Sequence, residues 1–148
     1  MSQAMDYVGS VVGILSPLIK FGWDVHGRFG ELGELAQELE KDTEKMVEQL
    51  EVARDFALDN PEKLDPKLQH RLRTARVRCQ ETLEKVNQCI EAYESWWRRL
   101  KKAVFSDKEI EGLQKMLRKC TKELKGIDRD GHRYVYGLGR SGFGGANA

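Results

Sequence analysis

Residues 65–100 read DPKLQHRLRTARVRCQETLEKVNQCIEAYESWWRRL. Apolar side chains recur at Leu68, Leu72, Ala75, Cys79, Leu83, Val86, Ile90, Tyr93, Trp97 and Leu100. Steps of three and four are the period of one helix face. Asp65 is a natural N-cap, and Pro66 suits the first helical position, where no N–H is needed. Neither Gly nor Pro follows before Leu100. The spacing predicts one helix of thirty residues or more, with Trp96 the one place that invites a break. A single apolar stripe of that length has to be covered by other helices.

The flanking sequence supplies them. Leu32, Leu35, Leu39, Met46, Leu50, Ala53 and Ala57, with Thr43 filling a gap, predict a second helix from Glu31 to Leu58. Asp59-Asn60-Pro61 ends it. A capping box, Ser106-x-x-Glu109, opens a helix that buries Ile110, Leu113, Leu117, Cys120 and Leu124. Lys119, Lys122 and Lys125 suit its C-terminal dipole, and Gly126 is its expected stop. A first helix spans about Gln3 to Val25. Pro17 should kink or split it, and Gly22, Gly27, Gly30 and Gly33 make the joint that follows a plausible hinge. Short connections between four amphipathic segments predict an all-α, up-down-up-down four-helix bundle over 1–126, with a long third helix. The segment 127–148, with Gly at 131, 137, 139, 142, 144 and 145, reads as a flexible linker or tail.

Composition agrees with one bundle: 148 residues, 40% hydrophobic and 33% charged. Between residues 34 and 125 the only glycine is Gly112. The net charge of +1 names no partner, but the charge is blocky. Glu31 to Glu62 holds eleven acids and three bases; Trp96 to Lys125 holds ten bases and four acids. Such blocks pair helices with each other, or present a basic face to an anionic surface. Cys79, Cys89 and Cys120 lack CxxC spacing, and no secretory leader precedes them. Reduced thiols in a cytoplasmic protein fit best, with Cys79 and Cys120 as small buried hydrophobes on apolar stripes.

Residues 8–23 differ from the other segments. Val8, Val11, Val12, Ile14, Leu15, Leu18, Ile19, Phe21 and Trp23 crowd the stretch. Asp6, Ser10, Gly13, Pro17, Lys20 and Asp24 fall within about 40° of one line on the same helix. The expectation is an apolar cylinder with one thin polar or small-residue stripe. Lys20 interrupts it, and it is shorter than the roughly 20 residues of a permanent span, so the free protein should be soluble. Gly9 and Gly13 form a small-xxx-small pair that allows close helix approach. The segment is either the most buried helix of the bundle or one that leaves it and turns its stripe inward in an assembly.

Catalytic patterns are missing. His26, His70 and His132 are scattered, with His26 and His132 beside glycines in expected turns, and they suggest no metal centre. Carboxylate pairs such as Glu34 with Glu38 and Glu44 with Glu48 read as solvated helix surface. Gly137-Leu-Gly139-Arg-Ser-Gly142 matches GxGxxG only formally, without a strand before it or a helix after it. No enzyme activity and no cofactor is expected. The run Trp96-Trp97-Arg98-Arg99-Leu100-Lys101-Lys102 is more informative. Indole rings beside cations suit a membrane interface with anionic lipid. A Trp at the bundle end beside a solvated basic turn is the plainer alternative. Nucleic acid is a weaker partner, because the second helix is acidic.

Val86-Asn-Gln-Cys89, the Trp96–Lys102 run and the Lys108–Leu117 helix start together resemble a known family. They look like the powdery-mildew-resistance-type coiled-coil domain found at the N-terminus of plant helper NLR immune receptors. The wider group includes fungal HeLo domains and the bundle of the mixed-lineage kinase domain-like pseudokinase. The resemblance covers roughly residues 4 to 125. Pro17 and the more basic run after Trp97 depart from the family pattern. The resemblance implies a plant-defence domain that self-associates on activation and relocates from the cytoplasm to the plasma membrane. There its first helix inserts, giving a cation-permeable pore and the cell death of the hypersensitive response. It implies receptor domains C-terminal to this chain. Carried over, the inserting segment is Asp6 to Trp23, with Asp6 near the pore mouth and Ser10, Lys20 and Asp24 as further pore-lining candidates. Trp96, Trp97, Arg98, Arg99, Lys101 and Lys102 are the candidate lipid contacts. A soluble helical interaction module without membrane activity is the alternative.

Overall fold

A computed structural model describes the backbone of residues 3–32, 36–60, 65–100 and 107–147 and side chains within 11–30, at 32, and within 36–60, 65–95 and 108–133. Four α-helices account for almost all of it: α1 (Gln3–Arg28), α2 (Gln37–Asp59), α3 (Pro66–Leu100) and α4 (Asp107–Asn147). A short 3-10 turn, Phe29–Glu31, follows α1. The fold is an all-α four-helix bundle with a long third helix.

Helix α3 begins where its sequence dictates. Asp65 Oδ1 accepts hydrogen bonds from the backbone N–H groups of Lys67 and Leu68, two of the donors a helix start leaves open. It runs unbroken through Trp96 to Leu100. Helix α2 ends at Asp59, where the backbone and side-chain amides of Asn60 both donate to the Phe56 carbonyl. Its start differs from expectation: Glu31 belongs to the 3-10 turn, and α2 opens at Gln37 with no side-chain cap. The Ser106 half of the capping box lies outside the described residues.

Two proline and glycine readings are corrected. Of the kink or split expected at Pro17, the split is absent: α1 is one helix from Gln3 to Arg28. Gly13 and Pro17 are both exposed, so the Gly13 carbonyl that loses its partner lies on the wet side. Helix α4 does not stop at Gly126, so Lys119, Lys122 and Lys125 are not at its end. Ile127 is 4% exposed, and Gly131 packs so close to Phe56 that a Cβ there would lie 2.9 Å from the ring. Core contact therefore continues a full turn past Gly126. His26 and His132 stand inside α1 and α4 rather than in turns.

The predicted stripes form the core. Leu39, Met46, Leu50, Leu72, Cys79, Leu83, Val86, Ile90, Leu117 and Leu124 are each buried to within 2%. Val11, Leu15, Val25 and Phe29 join them from α1 and the 3-10 turn. Inter-helix partners reveal the directions. Trp23 meets Glu51 while His26 meets Glu44, so α1 and α2 are antiparallel. Arg71 meets Asp130 while Arg78 meets Glu123, so α3 and α4 are antiparallel. Glu38 pairs with Gln114 and Asp42 with Arg118, so α2 and α4 are parallel. Gly22 approaches Leu83 and Arg28 reaches Glu91, so α1 and α3 are parallel. Each helix packs mainly on two others, in the cyclic order α1, α2, α4, α3. Chain direction alternates, but α2 and α3 lie on a diagonal.

Candidate functional site

Helix α1 carries most of the sequence-predicted site. Val11, Leu15, Leu18 and Ile19 are buried in the core, while Val12, Ile14, Phe21 and Trp23 are partly buried against it. Gly13, Pro17, Lys20 and Asp24 are exposed. The stripe is therefore the solvent edge of the helix in this bundle. The side chains of Asp6, Val8 and Ser10 lie outside the described residues. No described helix is long and apolar enough to cross a membrane.

Among the described side chains of α1, Trp23 and Arg28 hydrogen-bond to other helices and His26 lies near two carboxylates. Trp23 Nε1 donates to Glu51 Oε1 on α2 at 2.6 Å. His26 Nε2 lies 3.6 Å from Glu40 and 3.9 Å from Glu44, with its ring edge-on to Trp23. Arg28 spreads its guanidinium over Asn87, Glu91 and Glu94 of α3, at 3.3 Å and 3.2 Å for the two carboxylates. Among the described residues, α1 makes no other side-chain hydrogen bond or ion pair. Gly22 adds the closest backbone approach: a Cβ there would meet Val47 Cγ2 at 2.6 Å. Gly22 is thus a packing glycine rather than part of a hinge.

The middle of α1 faces both core and solvent. A groove of about 350 Å³ runs between α1 and α3, with Gly13, Pro17 and Phe21 on one wall and Arg76, Gln80 and Glu84 on the other. Arg76 Nε is buried there without a hydrogen-bond partner. The sequence offered no signal for these contacts, because Trp23, His26 and Arg28 find their partners on other helices.

The basic cluster was the second expected site. Trp96, Trp97, Arg98 and Arg99 continue α3, but their side chains, and Lys101 and Lys102 altogether, lie outside the described residues. The charge blocks do meet in one place. Acidic α2 lies beside basic α4, with Arg118 Nε 3.2 Å from the buried carboxylate of Asp42. On the α3–α4 seam, the Arg71 hydrogen bond holds the Asp130 carboxyl below its usual range. Asp128 and His132 pair at 3.2 Å across one turn of α4, a spacing the sequence reading overlooked. No group of three or more metal-ligating side chains occurs among the described residues. Comparison with known family models, curated proteins and solved structures gives no match to this chain.

Proposed function

We propose that the chain is a membrane-acting signalling domain that self-associates, releases α1 from the bundle and inserts it with its copies, opening a cation-permeable path that leads to cell death. The observation that supports this reading is the two-faced character of α1, with Val11, Leu15, Leu18 and Ile19 in the core and Gly13, Pro17, Lys20 and Asp24 in solvent. The stretch from Gly13 to Phe21 also borders an open groove against α3.

Magnitudes limit when it can do so. Fully burying Val11, Leu15, Leu18 and Ile19 is worth about 1.5–3 kcal/mol each, an upper estimate. Their sum rivals the 5–15 kcal/mol that stabilises a whole domain. Helix α1 therefore does not leave for water. It leaves only where lipid or neighbouring copies cover the same side chains. In such an assembly Lys20 and Asp24 would turn inward. Relocation to anionic lipid would rest on the basic run from Trp96 to Lys102, and the receptor-type role on the family resemblance.

Replacing Val11, Leu15 and Ile19 with Glu, or deleting residues 1–23, does not isolate this mechanism. All three side chains are core, so the bundle itself would fail. A reversible tether is cleaner. Gly22 and Val47 are close enough that the pair G22C/V47C is within disulfide reach. Dye release from vesicles containing anionic lipid should be lost in the oxidised double variant and return on reduction, with wild type treated identically. Equal leakage from the tethered and reduced forms rules out release of α1. No leakage from wild type at any lipid composition favours a soluble interaction module instead.

A further inference from the structure

The groove between α1 and α3 has two unlike walls. Ile14, Leu18 and Phe21 make the α1 wall apolar, while Arg76, Gln80 and Glu84 make the α3 wall polar. Those three recur every fourth residue, so they form one row along α3. The volume, about 350 Å³, falls within the roughly 300–1,000 Å³ of small-molecule pockets. Gly13 also lines the groove, and a Cβ there would meet nothing within 4 Å, so the space beside it is open.

Charge is unevenly satisfied along the row. Gln80 Nε2 donates to Glu84 Oε1 at 3.1 Å, so that carboxylate has a donor. Arg71 and Arg78, on the same helix, each meet a carboxylate of α4. Arg76 differs. Its Nε is buried with no hydrogen-bond partner, and no carboxylate among the described residues pairs with its guanidinium. Buried polar groups without a partner are uncommon and call for an explanation. A guanidinium cannot shed its charge by losing a proton, so only an acceptor relieves it. The groove therefore holds an unanswered cation opposite an apolar surface.

We propose that this groove binds a free single-chain amphiphile with a carboxylate head. The carboxylate pairs with the Arg76 guanidinium, whose planar fork matches two oxygens side by side. The apolar tail lies on Ile14, Leu18 and Phe21. One cation balances one negative charge, and Glu84, the other charge of the groove, gives no support to a second; a singly charged head therefore suits the site better than a phosphate dianion. Such a ligand touches α1 and α3 together and favours the closed bundle by mass action. The site exists with α1 in place, so it stands apart from the membrane reading.

The test titrates the full chain with dodecanoate, below its micelle concentration and without vesicles, by calorimetry. The expected result is one saturable site per chain and a higher melting temperature with ligand. Dodecyltrimethylammonium, with the same tail and the opposite charge, and acetate, with the head and no tail, should each bind roughly tenfold more weakly or worse. R76M should weaken dodecanoate by roughly tenfold or more, and R76K by less, because Lys keeps the charge without the fork. G13L should weaken it as well, by filling the groove from the α1 side with a better helix former. K115M, at an exposed site on α4, should leave binding unchanged. Uptake that does not saturate, equal binding of the cationic amphiphile, tighter binding of dodecyl phosphate, undiminished affinity in R76M, or binding only when dodecanoate is carried in vesicles overturns the proposal. The wild-type ligand series decides even if a variant fails to fold. Dye release is not part of the readout, so failure here and failure of the membrane reading are told apart.

Discussion

Single residues in this bundle are priced by their neighbours, and Gly22 is the clearest case. Alanine is the better helix former by about 1 kcal/mol. At Gly22, however, the added Cβ would lie 2.6 Å from Val47 Cγ2, on a β-branched side chain with little rotamer freedom. G22A should cost about 1–3 kcal/mol by overpacking. At exposed Gly112 nothing lies within 4 Å, so G112A should gain roughly 0.5–1 kcal/mol. Urea titrations of the two variants should shift in opposite directions; a matching shift denies the close approach. Asp42 shows the same dependence for charge. Its carboxylate is 8% exposed and meets Arg118. R118A should lose about 1–2 kcal/mol because it strands a buried charge, and D42N/R118A should recover most of that. Additive losses in the double-mutant cycle would mean that the pair is uncoupled. From the sequence, Asp42 was one acid on an acidic face. Its partner, 76 positions on, could not be read there.

At the scale of elements, local rules worked where local chemistry decides. Asp65 caps α3, Asn60 closes α2, and the apolar steps of α3 are its buried face. The rules failed at Gly126. Glycine after a periodic stretch commonly terminates a helix. Here Ile127 and Gly131 find buried seats against α2, and packing carries α4 onward. The two possibilities differ in sign. In a continuing helix G126A should stabilise by about 0.5–1 kcal/mol, since its nearest neighbour is Arg71 Nη2 at 3.8 Å. In a left-handed cap it would destabilise by a similar amount. Chemical denaturation separates the cases. The candidate site was legible in part. The apolar crowd and thin stripe of α1 were visible, and Lys20 and Asp24 do lie on its exposed edge. The partners of Trp23 and Arg28 on other helices were not visible.

For the whole molecule, charge and topology act together. Acidic α2 and basic α4 are neighbours running parallel, and Gln114 and Arg118 of α4 reach Glu38 and Asp42 of α2. Attraction between exposed parts of the two blocks extends about 8–10 Å at moderate salt and about 3 Å at 1 M. The melting temperature should therefore fall by a few degrees between 0.05 and 0.5 M sodium chloride, each value being about the level at which screening changes. A flat profile would leave the charge blocks without a stabilising role and free for an outside anionic surface. The sequence by itself determined four amphipathic helices, the faces they bury and most of their ends, because periodicity and caps act within a few residues. Only the tertiary structure decided the cyclic order α1, α2, α4, α3, the partners of Trp23 and Arg28 and the pairing of Asp42 with Arg118. Those depend on shape and partner fit between segments far apart in the chain, which a helical stripe does not encode.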